Sequence, residues 1–136
     1  MGTRIVDGDT IDCRGVGRIR LIGMDTPEMS QAPFGAQAAR ALATLTPPGD
    51  TIRVEPDVEP RDRYGRALAY LWSRSGRVNW QLIWEGWAMV ATYPPNVQYV
   101  EAFTAAMGRA REERLGFWAS GGFECAPADR RRGRCD

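Results

Sequence analysis

The chain has 136 residues, 43% hydrophobic and 26% charged, which is the balance of a single globular domain with an ordinary core. Its net charge of +1 argues against general electrostatic coating of a polyanion, yet all 18 basic residues are arginine, whose planar fork suits a local phosphate site. Histidine is absent, which excludes imidazole acid–base chemistry, His-ligated zinc and Ser-His-Asp triads, and no apolar run is long enough to cross a bilayer.

In chain order, residues 4–6 read as the end of a strand, Asp7-Gly8 as a turn, and residues 10–13 as the next strand. A start this close to a strand suggests that a leader has been removed, and the expectation is a secreted or periplasmic protein, with the cytoplasm as the alternative. In residues 18–28, Ile19 and Leu21 alternate with Arg18 and Arg20, so this stretch begins as a third strand. Gly23 and Pro27 then end the pairing near Met24. Residues 31–45 change to helical spacing, with Ala38, Ala39, Ala41, Leu42 and Leu45 as the apolar residues. Residues 51–55 alternate as a fourth strand, residues 59–66 read as a polar turn, and residues 67–72 as a fifth strand. Residues 78–87 form a short helix with Trp80, Ile83, Trp84 and Trp87 on one side. Residues 97–114 form the longest helix, with Val100, Phe103, Ala106, Met107 and Ala110 facing the core. Five short strands, a helix after the third and two helices at the C-terminal end describe an α+β protein, mainly a five-stranded OB-type barrel. Residues 1–118 make the domain, and residues 119–136 an Arg- and Cys-containing tail. Cys125 and Cys135 either bridge across that tail, as in an oxidising compartment, or remain thiols alongside Cys13.

Residues 18–28 (RIRLIGMDTPE) place one guanidinium, Arg20, and two carboxylates, Asp25 and Glu28, around a strand end and a tight turn. Two other clusters, VDGDT at residues 6–10 and DRYGRALAYLW at residues 62–72, are ordinary turn chemistry when taken singly. Together and in this order, the three resemble the motifs of the staphylococcal (thermonuclease-type) nuclease family, and the resemblance runs from about Arg4 to Trp118.

That resemblance implies an OB-barrel enzyme that cleaves DNA and RNA with Ca²⁺, preferring single strands and leaving 3′-phosphates. It makes Asp9 and Asp25 the calcium carboxylates, with the Thr26 carbonyl as a third ligand, and hard oxygen donors of this kind are what Ca²⁺ takes. Arg20 and Arg66 match the arginines that grip the scissile phosphate. Glu28 matches the carboxylate that activates or orients the attacking water, with Asp7 behind the metal ligands. Tyr64 and Tyr93 align with residues that contact the nucleotide, and Arg63, standing where a lysine is common, joins them as a substrate-binding candidate. Nucleic acid is the partner implied, with a monomer and no protein partner. The rival reading is a nuclease-like barrel that only binds nucleic acid. Such domains typically lose the carboxylates or arginines, all of which are present here.

Overall fold

In a computed structural model, residues 3–124 are described. The first three strands are β1 (Thr3–Asp7), β2 (Thr10–Cys13) and β3 (Gly17–Leu21), an antiparallel meander in which Ile11 pairs with both Ile5 and Ile19. After α1 (Phe34–Leu45) come β5 (Arg53–Arg61) and β6 (Ala67–Ser73), and β6 returns parallel to β3. The sheet order is therefore β1-β2-β3-β6-β5, with the short β7 (Gly76–Arg77) pairing β6. These five longer strands and the helix between β3 and β5 are those of the OB-type barrel expected from the sequence. Buried Ile11, Ile19, Leu21, Leu42, Leu71, Leu82 and Ile83 form its core.

Four of the differences from the sequence reading have a physical reason. The third strand stops at Leu21 and the chain re-enters as β4 (Met24–Asp25), which pairs with β8 (Met89–Val90) in a separate two-stranded sheet. The break is held by the buried Asn79, whose amide donates to Ile22 O (2.9 Å) and accepts from Leu71 N (2.9 Å). Helix α1 begins at Phe34 rather than residue 31, because Gln31 closes a turn on Glu28 and Ala32 precedes Pro33, which disfavours helical backbone. Strand β5 runs on to Arg61, where a polar turn was expected. It is the end strand of the sheet, and such an edge tolerates Pro56 and Pro60, which disguise it in the sequence.

The last difference lies in α2 (Val78–Trp84), which buries Val78, Asn79, Leu82 and Ile83 rather than a tryptophan side. Trp80 and Trp84 stack on its flank with ring centroids 4.7 Å apart, capped by the guanidinium groups of Arg77 and Arg109. Trp87 lies beyond the helix, edge-on to Phe117 at 5.1 Å. Helix α3 (Val100–Glu112) buries Phe103, Ala106 and Ala110 as its spacing predicts, and the single turn α4 (Phe117–Ser120) follows. Phe123, past residue 118, packs with Phe117 and Trp118. Cys13 is buried as a free thiol, whereas Cys125, Cys135 and their pairing lie outside the described residues. Among those residues, no helix is long and apolar enough to cross a membrane.

Candidate active site

Strand pairing brings the three sequence clusters to one end of the barrel. Register places Thr10 opposite Arg20 across β2 and β3, and Arg20 beside Leu68 across β3 and β6. The turn between β1 and β2 is pressed onto the segment after β4. A Cβ at Gly8 would stand 2.6 Å from both Thr26 Oγ1 and Ala38 Cβ, so only glycine lets Asp7 and Asp9 approach Thr26. The result is an open cleft of about 500 Å³ lined by Asp7, Asp9, Arg20, Thr26, Glu28, Asp62, Arg66 and Tyr93 with apolar Ile22 and Leu68.

Arg20 is the hub. Its guanidinium bonds Asp25 Oδ1 at 2.6 Å, Asp9 Oδ2 at 3.1 Å and the Leu21 carbonyl at 2.7 Å. Burial alone would depress its pKa, but Asp9 and Asp25 outweigh burial and hold the charge more firmly than usual. Tyr93 donates to Asp25 Oδ2 at 3.0 Å, while Thr10 and Thr26 donate to the two oxygens of Asp9.

One guanidinium thus faces two carboxylates, Asp9 and Asp25. The Asp9 pKa is pushed up to about 7, first by burial, against the pull of Arg20 and with the charges of Asp7 and Asp25 adding to the rise. Its stabilising contribution is complete below the ordinary value of 3.8 and is lost as pH climbs towards about 7. In metal-free buffer, Asp9→Asn is therefore expected to gain thermal stability relative to the wild type between about pH 4 and pH 7, and to keep that margin above it. Melting temperatures offset by the same amount at every pH would contradict this.

On the opposite wall, Arg66 Nε donates to Asp62 Oδ2 at 2.7 Å, and Asp62 Oδ1 accepts from the backbone N–H groups of Tyr64 and Arg66 at 2.9 Å each. Burial would raise the Asp62 pKa, but these bonds outweigh it and hold the group ionised below the usual carboxylate range. Glu28 is fixed through its backbone by Gln31, which accepts from Glu28 N at 3.1 Å and returns a bond to Glu28 O at 2.9 Å.

The cleft therefore gathers Asp7, Asp9, Arg20, Thr26, Glu28, Arg66 and Tyr93, and Asp25 adjoins it through Arg20 and Tyr93. Arg63 and Tyr64 stand apart, with Tyr64 72% exposed and the Arg63 guanidinium 5.1 Å from its ring centroid. Asp62 and Asn96 line the cleft without having been singled out. Asn96 grips the Glu59 backbone by both its amide atoms and so seats the Tyr93 turn on β5. The Asp62 role was visible only as an aspartate four residues before an arginine with a Tyr-Gly turn between them.

A barrel that gathers hard carboxylate oxygens and guanidinium groups in one open cleft is built to receive a phosphate ester. The family model described as staphylococcal nuclease homologue matches residues 18–120. The thermonuclease of Staphylococcus intermedius is 38% identical over 123 residues, covering 85% of this chain and 73% of that protein. The thermonuclease of Staphylococcus hyicus is 35% identical over 126 residues, covering 86% and 73%. Endonuclease YhcR of Bacillus subtilis is 34% identical over 132 residues, which are 85% of this chain but 11% of that longer protein. The chain belongs to the staphylococcal nuclease homologue family.

Proposed function

We propose that this protein is a Ca²⁺-dependent endonuclease that hydrolyses the phosphodiester bonds of DNA and RNA. Its family and its thermonuclease and endonuclease relatives support a nuclease. The observation that carries the reading is the single cleft in which Asp9, Arg20, Glu28 and Arg66 converge beside Asp25.

The donor set fits a hard cation. Arg20 holds the carboxylates of Asp9 and Asp25 side by side, and Asp7 adds its charge beside Asp9, which makes a cluster of hard oxygen donors. Among the described residues no three acidic, histidine or cysteine side chains form a ready cage, so Asp9 and Asp25 would hold Ca²⁺ with the Thr26 carbonyl and water. Bound there, Ca²⁺ supplies Lewis-acid neutralisation of the phosphoryl charge.

The remaining work falls to side chains. Attack of water on a phosphodiester builds negative charge on the phosphoryl oxygens, and guanidinium donors fixed in advance stabilise it more than they stabilise the ground state. Arg66 presents its Nη edge for this, since its Nε is engaged by Asp62 and no partner for the Nη atoms is found among the described residues. Arg20 acts from below, where it sets the spacing of Asp9 and Asp25. The Glu28 carboxylate, at the cleft wall, takes or directs the proton of the attacking water. Tyr93, Tyr64 and Arg63 would receive the nucleotide, the last two as an exposed cation–aromatic pair at the tip of the β5–β6 hairpin.

Incubation with single-stranded DNA in Ca²⁺, in Mg²⁺ or in chelator tests this. Fragments with 3′-phosphate ends are expected in Ca²⁺, none in chelator, and much slower cleavage in Mg²⁺, which demands a tight octahedral shell and sheds water reluctantly. Equal rates in the two metals would remove the calcium assignment. Binding of the DNA without cleavage in any metal would favour a binding domain instead.

A further inference from the structure

We infer that Asp62 is a positioning residue for Arg66, whose carboxylate selects the guanidinium edge that meets the scissile phosphate. The inference deepens the nuclease reading and rests on it.

A carboxylate lining a cleft for a polyanion is electrostatically costly, so its presence needs a compensating role. Asp62 lies in the cleft wall and makes five bonds within five residues, one of them from Gly65 N to its carbonyl at 3.1 Å. Its Oδ2 accepts Arg66 Nε, its Oδ1 accepts the N–H groups of Tyr64 and Arg66, and its own N–H donates to Arg66 O at 3.0 Å. A guanidinium has two edges that can grip an oxyanion, one using Nε and one Nη, and the two Nη atoms together. With Nε held at 2.7 Å by Asp62, the edge left for substrate is the Nη1–Nη2 pair. Arg66 directly precedes Ala67, which pairs with Arg61 at the base of the β5–β6 hairpin, and Arg61 bonds the Gly65 carbonyl at 3.0 Å, so a fixed turn carries a fixed guanidinium. Asp62 thereby trades some ground-state attraction for alignment, which pulls kcat and KM in opposite senses when it is removed.

Asp62→Asn separates the possibilities, because asparagine keeps the Oδ1 acceptor for the two backbone N–H groups but sets an amide N–H₂ or a neutral oxygen against Arg66 Nε. The expected result is a fall in kcat of about 10²-fold, the cost of a misaligned group. KM should be unchanged or lower, since a negative charge beside the substrate has gone, and the melting temperature should fall modestly, because the bonds that favour the ionised carboxylate are weakened. In the Arg66→Lys background, where no Nε fork remains to be held, Asp62→Asn should have little further effect on kcat. Native kcat in Asp62→Asn, or the same fold-loss in both backgrounds, would overturn the inference. So would a loss carried by raised KM and lowered melting temperature together.

A second measurement does not depend on cleavage. The Arg66 Nε–H resonance of ¹⁵N-labelled protein should be protected from solvent exchange in the wild type and exchange rapidly in Asp62→Asn. Rapid exchange in both proteins would overturn the clamp. If the wild type cleaves no nucleic acid, the nuclease reading fails, and this resonance still decides whether Asp62 holds Arg66.

Discussion

Arg66→Lys is expected to lower kcat by at least about 10²–10³-fold, the usual cost of removing one preorganised donor aimed at a developing anion. Lysine keeps the positive charge and most of the reach, but loses the planar fork and with it two separate functions. The first is the Nε bond to Asp62, which holds the side chain across the hairpin base. The second is the paired Nη edge of a side chain that lines the cleft, which can bind two phosphoryl oxygens at once. A mobile ammonium still attracts the ground-state phosphodiester, so KM should change far less than kcat. Steady-state rates on single-stranded DNA in saturating Ca²⁺ decide the matter. Near-native turnover would mean that Arg66 is a surface charge that happens to line the cleft, and the mechanism would fail even though the family assignment stands.

The fold was legible wherever a period ran uninterrupted. Ile11, Ile19 and Leu21 alternate into the core as their spacing requires, and Phe103, Ala106 and Ala110 do so on α3. It was obscured where one residue serves two demands. Pro56 and Pro60 read as breakers, yet they sit in an edge strand that does not need every donor. Trp80 and Trp84 read as core by hydrophobicity, yet they pack against it only half-buried with arginines stacked on their rings, and the fully buried positions go to Ile83, as expected, and to Leu82. The resemblance carried Asp9, Arg20, Asp25, Glu28 and Arg66 as a set, and the barrel brings them to one end. The residues to which it gave no role are Asp62, which lies inside the third motif and holds Arg66 by its side chain and backbone, and Asn96, which holds the Glu59 backbone, and a linear motif holds no record of such bonds.

Glu28 bears the other large effect. The turn that presents it is tightly built. Pro27 precedes it, Gln31 bonds its backbone in both directions, and Gly35 packs so closely on the Glu28 carbonyl that a Cβ there would overlap it. This places the carboxylate on a rigid stretch at the cleft wall rather than on a free loop. Glu28→Gln preserves shape and hydrogen-bonding capacity while removing the ability to take a proton. As a general base, its loss should cost about 10²–10⁴-fold in kcat. Charge argues in the same experiment for a KM that falls or stays level, since one negative group beside an anionic substrate disappears. If Glu28 only repelled or oriented substrate, the variant would keep its turnover and alter KM alone. A kcat near that of the wild type in Glu28→Gln would assign the proton transfer to another group in the cleft.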